Sequence, residues 1–300
     1  MQKITPFFWF DNEAEEAADF YASAFPNSRI GRISRYGAAG REIHRREPGS
    51  VMTVEFELEG SEMTALNGGP GVFHFSRATS LFVNCDNGKE VSAIWKKLVD
   101  GGTIDMPLQK YPFSEKFGWL TDKFGLSWQI CLSPGNQKIT PCLMFAGEQH
   151  GNAGPAIDYY VSVFDNSKVL NLLRYGAGES GGEGTVKNAT FALDGRRFMV
   201  MDGSGNHDFS FTGAFSFLVK CDTQEEVDRY WEKLSSGGDE KAQQCGWLKD
   251  RFGVMWQIVP KVLPELIGDP DSEKSQRALN AMLQMKKIEI EELQRASTGG

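Results

Sequence analysis

The chain has 300 residues, a formal net charge of −8 and 40% apolar residues, the balance of an ordinary globular protein with room for two domains. The acidic surplus disfavours nucleic acid as a partner. No run approaches the ~18 apolar residues of a membrane span, and no charged leader or cleavage site precedes the first strand. Five scattered cysteines without a CxxC pair read as reduced thiols, so a cytoplasmic protein is expected.

Residues 4–10 are a short aromatic run, which predicts a strand. Asp11 or Asn12 caps the helix that follows. Glu13, Glu15 and Glu16 sit in its first turns, where carboxylates favour the positive end of the dipole. Ala17, Phe20, Tyr21, Ala24 and Phe25 form its apolar face. Strands follow at 30–36, 51–58 and 63–66. The second alternates, with Met52, Val54, Phe56 and Leu58 on one face. The basic run 41–46 reads as a solvated loop, with recruitment of an anionic ligand to the first trough as the alternative. The order then recurs: a strand at 79–85, a helix at 89–99 ended by Gly101-Gly102, and strands at 116–120 and 126–132 joined by a hairpin. Each half therefore reads β-α-β-β-β twice.

The chain repeats itself. Lys3-Ile4-Thr5-Pro6 returns as Lys138-Ile139-Thr140-Pro141. Residues 117–130 return as 245–258 with nine of fourteen positions identical, so the halves share one fold. The boundaries fall at 1–136 and 137–262, with 263–300 as a connector and a C-terminal helix. A glycine-rich insertion, 147–154, opens the helix of the second half. Pro260, Pro264 and Pro270 punctuate the connector. Ser272 caps a last helix running to about residue 295, with Leu279, Met282, Met285 and Ile288 on one side.

Ile-Thr-Pro at each repeat start, Phe20-Tyr21 and Tyr159-Tyr160, residues 65–70 (ALNGGP), Cys221-Asp222 with Tyr230-Trp231, and the two Gly-Trp-Leu blocks carry a resemblance. Over residues 3–260 the chain resembles the vicinal oxygen chelate superfamily of glyoxalase I, extradiol dioxygenases and fosfomycin and bleomycin resistance proteins. The match is to its PhnB-like branch, whose sequence family carries the label 3-demethylubiquinone-9 3-methyltransferase. The resemblance implies an α+β fold. Two tandem vicinal-oxygen-chelate domains would each hold two βαβββ modules, their mixed sheet curved into a half-open barrel, with a C-terminal helix added. Single-domain relatives pair as symmetric dimers. The duplication then makes the chain an internal pseudo-dimer and leaves a homodimer of the whole chain open.

In metal-using relatives each module gives a ligand from its first and last strands. Those positions fall here on Thr5 and Thr140, Ser80 and Ser216, and Gln129 and Gln257, with the remaining ones near Asn67 and Asp202. Hydroxyls and amides bring neither charge nor an imidazole nitrogen, so no metal and no cofactor are expected. His44, His74, His150 and His207 occupy unmatched positions in the two halves and read as loop residues. His207 with Asp202 and Asp208 is the one cluster suited to holding a hard cation weakly.

The same polar residues suggest the floor of an aromatic trough that takes a small molecule. Phe7, Phe82 and Trp119 would line the first trough, and Cys142, Leu218 and Trp247 the second. The bland alternative is a closed core that binds nothing, and Trp128 and Trp256 read as core. Two functions follow, and a third, a metal-dependent isomerase or dioxygenase, needs ligands that these positions do not supply. One is a metal-independent enzyme working by hydrogen bonds and positioning. The other is a binding protein without chemistry, suited by its acidic surface to a cationic aromatic ligand. The methyltransferase label has no support in the residues: the first strand leads into Asp11-Asn12-Glu13, not a glycine-rich turn.

Overall fold

Alternation along the strands decides the architecture. In β1 (Ile4–Phe10), Phe8 and Phe10 turn to one face and Thr5, Phe7 and Trp9 to the other. The computed structural model describes residues 2–135, 137–203 and 207–299; the expected domain boundary at residue 136 lies outside them. The first half continues as α1 (Ala14–Ala24), β2 (Ser28–Arg35), α2 (Arg41–His44), β3 (Val51–Leu58), β4 (Ser61–Asn67), β5 (Thr79–Cys85), α3 (Gly88–Leu98), β6 (Thr103–Tyr111), β7 (Ser114–Thr121) and β8 (Ser127–Leu132). The second half holds β9 (Ile139–Phe145), α4 (Ala153–Val163), β10 (Lys168–Arg174), β11 (Val186–Leu193), β12 (Arg196–Asp202), β13 (Phe215–Cys221), α5 (Gln224–Ser235), β14 (Asp239–Gln244), β15 (Trp247–Lys249) and β16 (Met255–Pro260). Three helices close the chain: α6 (Val262–Ile267), α7 (Ser272–Gln284) and α8 (Ile290–Thr298).

The fold is α+β, with two mixed eight-stranded sheets. Their orders are β14-β15-β16-β13-β1-β4-β3-β2 (sheet A) and β10-β11-β12-β9-β5-β8-β7-β6 (sheet B). Each sheet joins one module from each half. The seams are antiparallel, β1 against β13 and β5 against β9. The helix-bearing faces of both sheets share one core. Trp128 of sheet B packs on Tyr21 and Phe25, and Phe198 meets Phe217 of sheet A at 5.4 Å. Trp128 and Trp256 are fully buried there.

Four local expectations change. The basic run contains one helical turn, α2, between left-handed residues Gly40 and Arg45. Asp11 and Asn12 do not cap α1; that role falls to a residue far away in sequence, described below. Strands β6 and β14 escaped the sequence reading because edge strands with mostly solvated side chains carry no alternation. The helix expected over 272–295 is two helices. Between them the chain is extended at Met285, where the Met285 and Lys286 carbonyls accept 2.8 Å bonds from the Cys245 and Gly246 amides. Those bonds are incompatible with a continuous helix.

Candidate functional site

Each sheet has a second face, turned away from the shared core. On sheet A this face carries Thr5, Phe7, Ser216, Leu218, Trp247 and Gln257, in register across β1, β13, β16 and β15. On sheet B it carries Thr140, Cys142, Ser80, Phe82, Gln129 and Trp119. The grouping by sequence half is therefore corrected. Thr5 and Phe7 lie with Ser216, Leu218, Trp247 and Gln257; Thr140 and Cys142 lie with Ser80, Phe82, Trp119 and Gln129. The cause is the seam, where the first strand of each half pairs with a strand of the other.

The polar residues meet. Gln129 Nε2 donates to Ser80 Oγ at 2.9 Å and lies 3.6 Å from Cys142 Sγ. Gln257 Nε2 donates to Ser216 Oγ at 3.0 Å. All four polar partners are buried. Thr140 Oγ1 accepts from Gln137 Nε2 at 3.3 Å, whereas the buried Thr5 Oγ1 has no partner. Trp119 Nε1 donates to Ser127 Oγ at 2.7 Å.

Asn67 and Asp202 are not part of either floor. Asn67 Oδ1 accepts from the Ala14 amide at 2.8 Å and so caps α1 from β4. Asp202 does the same for α4: Oδ1 accepts from Gly151 and Ala153, and Oδ2 from Val186. This carboxylate is spent on backbone donors and is not available to His207 and Asp208. Residues 204–206 of that turn lie outside the described residues. Among the described residues, no group of three or more His, Cys, Asp or Glu side chains is placed to hold a metal ion.

The two faces differ in what covers them. On sheet A, Leu218 and Val259 pack beneath Leu263 of α6, Leu293 of α8, and Met285 and Ile288 of the segment joining α7 to α8. This cover spans the sheet. Arg32 of β2 donates to the Pro264 carbonyl at 3.0 Å, and Gln244 of β14 to that of Leu283 at 2.7 Å. Further along, Phe7, Trp247, Trp9 and Phe73 fill the face with edge-on rings 5.2–6.1 Å apart.

Among the described residues, no helix packs on this face of sheet B. The sheet has a longer β6–β7 arm, with fifteen residues (103–117) between Gly102 and Gly118, against seven (239–245) between Gly238 and Gly246. Tyr111 and Phe113 stack at 5.6 Å on this arm, and Phe113 meets Phe117 edge-on at 5.1 Å. Phe117 joins Phe82, Cys131 and Cys142 in an apolar cluster flanked by Met106, Tyr111, Trp119, Met199 and Met201. Burial pushes the Cys142 thiol up to about 12 and raises that of Cys131. Both thiols stay protonated at neutral pH, which leaves them weak nucleophiles and poor ligands.

At the far end of this face stands a charged pair. Arg77 and Asp105 stand 3.3 Å apart, and Thr121 Oγ1 donates to Asp105 at 2.9 Å. Arg77 lies over the Phe209 ring, which packs against His207 at 4.8 Å between centroids. Met199, Met201, Phe117 and this charged pair join the expected residues on this face. Aligning the repeats position by position would have found the methionines, because the first copy has none there.

A family model described as 3-demethylubiquinone-9 3-methyltransferase matches the chain twice, over residues 2–131 and 137–259. A PhnB protein of Bacillus cereus, described by the same methyltransferase name, is 44% identical over 43% of this chain and 98% of its own, with a TM-score of 0.40. Glyoxalase I of Zea mays is 10% identical over 85% of this chain and 91% of its own, with a TM-score of 0.54, which shows a shared fold. No functionally curated protein matches. With both halves matched across two β-α-β-β-β modules each, the chain belongs to the 3-demethylubiquinone-9 3-methyltransferase family, in tandem, on a glyoxalase-like fold.

Proposed function

We propose that the helix-free face of sheet B binds a small, uncharged organic molecule without a metal, and that the matching face of sheet A is closed by the C-terminal segment of its own chain. The observation that carries this is the cover itself. Both faces keep the Ser–Gln pair, but the C-terminal helices pack on one alone. An apolar face with a few buried polar groups suits a small ligand. The charges at its end are paired with each other, which favours an uncharged ligand over a cationic one. The thiols are protonated and the floor holds no carboxylate or imidazole, so binding is favoured over acid–base turnover. The methyl transfer named in the family's description gains no support from the fold. The sheets are mixed, and β1 enters α1 without the glycine-rich turn of a doubly wound sheet. Sheets that each take modules from both halves support reading the chain as its own pseudo-dimer.

The test is a calorimetric titration of an uncharged aromatic alcohol such as 2-naphthol. Gln129→Ala should weaken binding about tenfold, the loss of one buried hydrogen-bonding group, and Gln257→Ala should leave it unchanged. The reverse pattern would move the site to sheet A and defeat the reading.

A further inference from the structure

We infer that the ligand of sheet B is a flat aromatic ring bearing a hydrogen-bond donor, held between thioethers and the aromatic arm. This rests on sheet B being the binding face. The repeat supplies the control. Register places Phe7 beside Thr64 and Trp9 beside Leu66 in sheet A. The same places in sheet B hold Cys142 beside Met199 and Met144 beside Met201. Four positions that carry Phe, Trp, Thr and Leu in one copy all carry sulfur in the other. The fold forms without sulfur at these positions, so it does not require them.

Sulfur changes two properties of the wall. Methionine is unbranched and rotates freely, so it reshapes around a guest, and its thioether contacts ring edges favourably. Phe7 and Trp9 are rigid plates that occupy the volume themselves. The opposing wall is the arm. Phe113 touches Phe117 of the apolar cluster yet is 67% exposed, a ring with one side in water. Sheet A has no counterpart, because its hairpin is too short. The floor sets the polarity. Gln129 Nε2 is committed to Ser80, which leaves the amide oxygen as an acceptor for a ligand hydroxyl.

The experiment compares 2-naphthol with its saturated counterpart 2-decalol by calorimetry on the full chain. The two share the hydroxyl and the fused-ring outline but not the π system. Naphthol should bind at least about tenfold tighter. The double variant Met199→Leu/Met201→Leu keeps volume. It should cost naphthol about three- to tenfold and leave decalol unchanged. Phe113→Ala, at an exposed site, should weaken naphthol alone. Equal binding of the two alcohols, or an equal loss for both in the double variant, would overturn the aromatic assignment and leave sheet B as a plain apolar site. Binding of neither alcohol, or insensitivity to Gln129→Ala with sensitivity to Gln257→Ala, would overturn the site itself.

Discussion

Asn67 and Asp202 stand at equivalent strand ends and cap equivalent helices, but one is neutral and the other charged. The helices compensate. Helix α1, under the neutral cap, carries Glu15 and Glu16 in its first turn, and α4, under the carboxylate, carries no acidic residue there. Each N-terminus thus receives negative charge from one source only. Asp122 and Asp250 show the opposite logic, the same residue kept in both copies. Asp250 accepts from the Phe252 and Val254 amides, from Trp256 Nε1 at 2.8 Å and from Tyr160 at 2.7 Å. Asp122 accepts from Phe124, Leu126 and Trp128. Burial nevertheless pushes both carboxyls up to about 6, against the lowering effect of these donors. The unfolded chain ionises them near 3.8, so between that value and about 6 the folded state holds the extra protons. Their contribution to stability is therefore greatest at the acid end and falls as pH rises through this window. Asp250→Asn should flatten that part of the profile and cost about 1–3 kcal/mol, because an amide NH₂ replaces one acceptor. Urea midpoints across the window would check both.

Elements differ in how far the sequence announced them. Strands β1 and β5 are legible as short apolar runs buried on both faces, and β3 by its alternation. Strands β6 and β14 are not, for the opposite reason. The Ser–Gln floor was visible as a list of residues. Its grouping was not, because strand order across a duplicated chain is set by which seam forms, and both halves offer the same seam sequence. The break between α7 and α8 was hidden as well. Met285 and Ile288 continue an apolar stripe, but both are buried against sheet A instead of along one helix face. Ile288 is wholly buried, so Ile288→Ala should cost about 2–5 kcal/mol and loosen the cover. Differential hydrogen exchange should then rise over residues 262–298 and not over sheet B. Strand β10 is the exposed counterpart of β2, with Leu170 and Leu173 where β2 has Gly31 and Ser34. Its register shifts kink the edge away from regular pairing.

The molecule as a whole stands on two seams, β1·β13 and β5·β9, each joining strands from different halves. Neither half can complete a sheet alone. Residues 2–135 and 137–299 expressed together should recover one complex by native mass spectrometry, with a single unfolding transition. Two independent transitions would show that the halves are separable units. The crossed seams also bear on how the two faces could diverge. In a dimer of identical subunits every substitution is written twice. A tryptophan that plugs one trough plugs its twin, and a terminal helix that closes one mouth closes the other. Covalent fusion removes that constraint. Trp9 and the C-terminal helices can seal one side while Met144 and the long arm furnish the other, so one ancestral site can be retired without sacrificing its partner.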